Sequence, residues 1–169
     1  GTNLAVDDVM AYALLEGTVT VSGRVARTEA GISADEFVIA NPQVQFRADG
    51  AFASETSDFD IALDLSDLGL VADEASGALA VRGSARSEAA EAPLVLLLDG
   101  QVANGTLGQY GLRDAKVGVA ASLLDGTITG DVTGNGMLDG HRATLATHFE
   151  ADAVQQALSD LGFEIAGTR

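Results

Sequence analysis

The stretch Asp58-Phe59-Asp60-Ile61-Ala62-Leu63-Asp64-Leu65-Ser66 sets Phe59, Ile61, Leu63 and Leu65 on one side of an extended chain and Asp58, Asp60, Asp64 and Ser66 on the other. Period-two alternation predicts a β-strand with one apolar and one wetted face. The rhythm recurs along most of the sequence. Val19, Val21 and Val25 alternate with Thr20, Ser22 and Arg24, Gly23 continuing the apolar row. After a turn at Gly31, residues 32–40 read as a strand, and beyond Pro42 the row Val44, Phe46 and Ala48 opposes Gln45, Arg47 and Asp49. Leu79, Val81, Gly83 and Ala85 face away from Arg82, Ser84 and Arg86, and Val117, Val119 and Ala121 from Lys116, Gly118 and Ala120. Ile128 and Val132 belong to a further strand, followed by one in which Ala143, Leu145 and Phe149 face inward and Arg142, Thr144, His148 and Glu150 outward. The chain is therefore expected to be mainly β.

Punctuation divides these strands. Asp99-Gly100, Asp125-Gly126 and Asp139-Gly140 carry the dipeptide that favours two-residue hairpin turns. The run Leu94–Leu98 is apolar without alternation, which fits a strand covered on both sides or one at the lip of something oily. Two short helices are expected. One, over 7–15, has acidic residues before its apolar stretch and Gly17 after it. The other runs from Asp152 as N-cap to Leu161, with Val154, Leu158 and Leu161 at helical spacing and Gly162 as the stop. A short strand over 163–166 follows. A shift of 144 positions brings Asp8 onto Asp152, Ala13 onto Ala157, Leu14 onto Leu158 and Gly23 onto Gly167. The division this implies is a β-rich module over 1–150 and, over 151–169, the opening of the next helix-then-strand repeat. The start, Gly1-Thr2-Asn3, has neither initiator methionine nor signal peptide and reads as the beginning of an excised fragment.

Composition excludes several functions. Asp and Glu number 25 against nine Lys and Arg, and the net charge of −16 repels nucleic-acid phosphates and anionic headgroups. Without cysteine there is no disulfide, thiolate nucleophile or zinc-thiolate site. No apolar run approaches the roughly 20 residues that span a bilayer as a helix.

No motif carries chemistry. The Gly- and Asp-rich stretch 125–140 has neither the EF-hand nor the nonapeptide calcium spacing, and hairpin turns need the same residues. Gly105, Gly108 and Gly111, like Gly134 and Gly136, lack the strand-turn-helix context of a phosphate loop. There is no Gly-x-Ser-x-Gly elbow, and the only histidines are His148, on the outer face, and His141, in a turn. Acidic pairs such as Asp58 and Asp60 read as a solvated face, and Asn104-Gly105-Thr106 is a sequon relevant only to a secreted eukaryotic protein. The protein is expected not to be an enzyme and to hold no metal or cofactor.

The apolar face remains. Two helices of about ten residues cannot cover a sheet of roughly ten strands, so the face must meet itself, a partner or a ligand. At about 1.5–3 kcal/mol per buried aliphatic side chain, leaving all of it in water would cost tens of kcal/mol. A β-sandwich with interdigitating inner faces is one solution. Against it, bulky aromatics are scarce, and 29 alanines and 20 glycines fill a two-sheet core poorly while leaving room for an acyl chain.

Residues 123–149, LLDGTITGDVTGNGMLDGHRATLATHF, and 21–50, VSGRVARTEAGISADEFVIANPQVQFRADG, resemble the interior repeats of the TamB-like translocation and assembly module family. That family belongs with the AsmA-like group, itself similar to bridge-like lipid-transfer proteins. The resemblance implies a long antiparallel, meandering sheet curled into a taco-like trough, apolar within and polar outside, in the Gram-negative periplasm. Phospholipid would slide along it from inner to outer membrane, supporting outer membrane biogenesis and protein assembly together with an outer-membrane β-barrel partner. Inner-membrane tethering and barrel docking would belong to segments outside this chain. Carried onto this sequence, the lining that would hold phospholipid acyl chains is Val19, Val21, Val25, Val44, Phe46, Phe59, Ile61, Leu63, Leu65, Leu79, Val81, Val117, Val119, Ile128, Leu145 and Phe149. Asp60, Asp64, Arg82 and Lys116 would face the periplasm. From a different class, a chaperone-like or structural scaffold would offer the open edge of the sheet to protein partners.

Overall fold

Each alternating stretch is a strand in the computed structural model, which describes residues 17–27, 29, 31–53, 56–89, 91–152 and 156–166. The strands are β1 (Thr20–Arg27), β2 (Gly31–Ala40), β3 (Val44–Ala53), β4 (Ser57–Leu65), β5 (Ala75–Ser76), β6 (Leu79–Ser87), β7 (Leu94–Leu107), β8 (Tyr110–Leu124), β9 (Thr127–Leu138), β10 (His141–Ala151) and β11 (Gln156–Ile165). All belong to one antiparallel sheet with neighbours in chain order, except that β6 takes its place between β4 and β7 while the short β5 pairs the far end of β7. β1 and β11 do not pair with each other, so the sheet is open.

Local chemistry explains this path. Asp125-Gly126 has φ of 51° and 81°, and Asp139-Gly140 has 49° and 82°. Two consecutive positive φ values make the hairpin turn whose twist matches that of its strands. Asp99-Gly100 is different. Both residues lie inside β7, paired with Gly118 and Val117, and Gly100 does not adopt positive φ. Apolar residues continue to Val102 on the far side, so this pair prolongs the strand and the hairpin expected there is absent. The turn comes at Gly108-Gln109, with Gly108 at φ 58°. The longer link from β4 to β6 contains a 3₁₀ turn, Leu68–Leu70. The Asp67 carboxylate ties that link together by accepting from the backbone N–H groups of Gly69 and Gly77, both at 3.0 Å.

The second expected helix is also corrected. Gln156–Ile165 is a strand paired to β10, and no α-helix occurs among the described residues. Between Ala146 and His148 on β10 the register slips, with Asp160 at φ 53° in the inserted position on β11. A bulge adds one residue to the two-residue repeat. Leu158 and Leu161 therefore stand three apart, a spacing that imitates a helix. Gly162, expected as a helix stop, lies opposite Ala146 in the ladder. The helix over 7–15 lies outside the described residues.

No second layer packs on the sheet among the described residues. Among the described residues the most buried apolar side chains are Ala34, Ala48, Leu65, Val102 and Ala121, and no large side chain there is fully buried. A β-sandwich core would enclose many, and that alternative is not realised.

Candidate functional site: the apolar face of the sheet

Residues directly opposite in a ladder project to the same side, so register assigns every side chain to a face. Phe59, Ile61, Leu63 and Leu65 oppose Gly50, Ala48, Phe46 and Val44 on β3, and Ala85, Gly83, Val81 and Leu79 on β6. The row continues outward through Ile39 to Val21 and through Ala34 to Val25. In the other direction Gly100 and Leu98 lead to Val117 and Val119, then to Gly134 and Val132. Leu123 opposes Ile128, while Leu145 opposes Gly134 and Phe149 opposes Gly130. Fifteen of the sixteen proposed lining residues thus share one face; the sixteenth, Val19, precedes β1 by one residue and sits two positions before Val21.

Burial along this face is graded. Leu65 is 3% exposed, whereas Val21 is 62% exposed near one edge. Between them Phe46, Phe59, Ile61, Leu63, Val81 and Val119 are half-buried. The alternation missed further members. Leu96 and Leu98 lie in the non-alternating run, and Val102 stands beyond the Asp-Gly pair read as a turn. Phe37 is displaced by a bulge at Glu36, whose φ is 47°. Leu158, Phe163 and Ile165 belong to the strand expected as helix. Val95 and Leu97 point to the opposite face and are exposed, so the Leu94–Leu98 run is not covered on both sides.

Small residues do more here than leave space. A Cβ on Gly83 would collide with Leu98 Cδ2 and stand 3.3 Å from Ile61 Cγ1. These neighbours lie across the gap that the glycine leaves. Gly130 is similarly crowded, with the Ala120 carbonyl oxygen 2.5 Å from an added Cβ. The Gly83 gap is therefore filled by protein.

The other face is polar. Asp60, Asp64, Arg82 and Lys116 project there by register. Arg82 reaches the Asp64 carboxylate at 2.9 and 3.1 Å, and Arg86 binds Asp58 and Asp60, each at 2.9 Å. His148 Nδ1 lies 2.9 Å from Asp131 Oδ1, both side chains being partly solvent-exposed. A depression of about 780 Å³ also opens on this side, where Arg47 and Arg82 face Asp49 and Asp60. Its mixed charges select neither anions nor cations. No cluster of His, Asp or Glu able to hold a metal occurs among the described residues, and no described helix is long and apolar enough to cross a membrane. The Asp125–Gly140 stretch considered for calcium is accounted for by its two hairpin turns. Comparison with protein-family models, with curated proteins and with solved structures found no match.

Proposed function

We propose that this sheet is a lipid-conducting segment whose apolar face holds phospholipid acyl chains. The observation that carries the reading is one apolar row crossing every strand of the main path, many of its large side chains half-buried or exposed and no second layer over them among the described residues. An acyl chain laid on Phe46, Leu63, Val81 and Val119 would remove aliphatic surface from water at about 25 cal/mol per Å². The row offers few hydrogen-bonding groups to fix a ligand in place, so a lipid is held without being oriented and can move along the strands' apolar side. The charged face keeps the opposite surface in water. The family resemblance supplies the rest of the proposal: a trough-like curl, a periplasmic setting tethered to the inner membrane, and passage of phospholipid to the outer membrane in support of outer membrane biogenesis.

Native mass spectrometry of the purified chain after incubation with phosphatidylethanolamine vesicles tests this. Lipid adducts that disappear in Leu63→Asp support the reading; lipid-free protein, or adducts indifferent to that substitution, would overturn it.

A second reading rests on the open edges at β1 and β11. A chaperone-like scaffold would use them to pair with strands of protein clients. Its signature is crosslinking to polypeptide from edge positions, unaffected by Leu63→Asp.

A further inference from the structure

The two edges of the sheet complement each other. β1 carries Arg24 and Arg27 and no acid, whereas β11 carries Asp160 and Glu164 and no base. In a chain with only nine Lys and Arg and a net charge of −16, two cations and no acid on one edge strand stand out, although Arg24 already reaches Asp35 on β2 at 3.3 Å. Five of the six most exposed large apolar side chains among the described residues lie at these edges: Val21 and Val25 on β1, and Leu158, Leu161 and Phe163 on β11, the last three at 74, 70 and 59% exposure. No described strand pairs the outer side of either.

Direction matches as well. Ten strands follow one another antiparallel along the main path, so β11 runs opposite to β1. A second copy continuing that path sets its β1 antiparallel to the first copy's β11, with both apolar faces on the same side. If Arg24 stands opposite Glu164, both on the polar face, Val25 falls opposite Phe163 on the apolar face. Self-pairing of identical edges would instead bring Arg24 and Arg27 near their own copies, or Asp160 and Glu164 near theirs, and like charges across a ladder repel.

We infer that this chain associates head to tail with a second copy of itself, β11 of one copy pairing with β1 of the next and prolonging the apolar face. The contact is heterologous, so association does not stop at a dimer. It stands independently of whether the face binds lipid.

The absence of native cysteine makes the test direct. One population carries Val25→Cys and another Phe163→Cys; mixed and mildly oxidised, they should yield chiefly the mixed 25–163 disulfide dimer. Light scattering of the unmodified chain should show mass rising with concentration beyond two copies. Arg24→Glu should weaken that association about fivefold, and Arg24→Glu combined with Glu164→Arg should restore it. The Arg24 ion pair with Asp35 is highly exposed, so its loss leaves the fold intact, which circular dichroism checks. A monomer at all concentrations, 25–25 and 163–163 dimers in statistical proportion, or failure of the charge swap to restore association would overturn the inference.

Discussion

Leu65 and Leu158 share a face yet meet different surroundings: Leu65 is 3% exposed between Val44 and Leu79, and Leu158 is 74% exposed on the terminal strand. Leu65→Ala should therefore lower unfolding free energy by about 2–4 kcal/mol, whereas Leu158→Ala should stay within about 0.5 kcal/mol, both measured by urea denaturation. Leu63 lies between these extremes. Its half-buried position lets a carboxylate reach water, so Leu63→Asp should retain the strand signature in circular dichroism while losing lipid. At this scale the inward assignments were legible because alternation fixes the face of every residue between bulges. What was not legible is the occupancy above a glycine: Gly83 reads as empty space in a row of letters, but Leu98 and Ile61 close over it.

Three Asp-Gly dipeptides demonstrate what an element needs beyond local preference. Gly126 and Gly140 turn at positive φ in open surroundings, so an alanine there meets no neighbour and pays only in backbone strain. Gly126→Ala and Gly140→Ala should each destabilise by about 1 kcal/mol, while Gly100→Ala should be neutral or slightly stabilising. Thermal unfolding of the three variants checks this contrast. Flanking residues decide it: Leu98, half-buried, and Val102, buried, on either side of Asp99-Gly100 both belong to the apolar row, and turning between them would expose the run. The Asp160 bulge misleads in the opposite way, because one inserted residue makes strand positions 158 and 161 look like successive helical contacts. Alternation predicts strands well but does not locate the places where a strand gains a residue.

For the whole molecule, composition and patterning indicated a β protein with few candidate sites, and the fold adds that its strands form one open layer. Charge is arranged accordingly: the Asp64–Arg82 and Asp58–Arg86–Asp60 pairs lie on one face and leave the other apolar. These exposed pairs contribute little stability individually, each about 0–1 kcal/mol. They matter by making the two faces unlike. A single sheet with such faces needs something to cover its apolar side, and an acyl chain is the occupant proposed above. The most direct measurement is face-specific photocrosslinking, in cells, with the photoreactive amino acid placed in turn at Leu63 and Val119 on the apolar face and at Asp60 and Lys116 on the polar face. The account predicts phospholipid adducts from Leu63 and Val119 and none from Asp60 or Lys116; adducts from neither face, or equally from both, would contradict it.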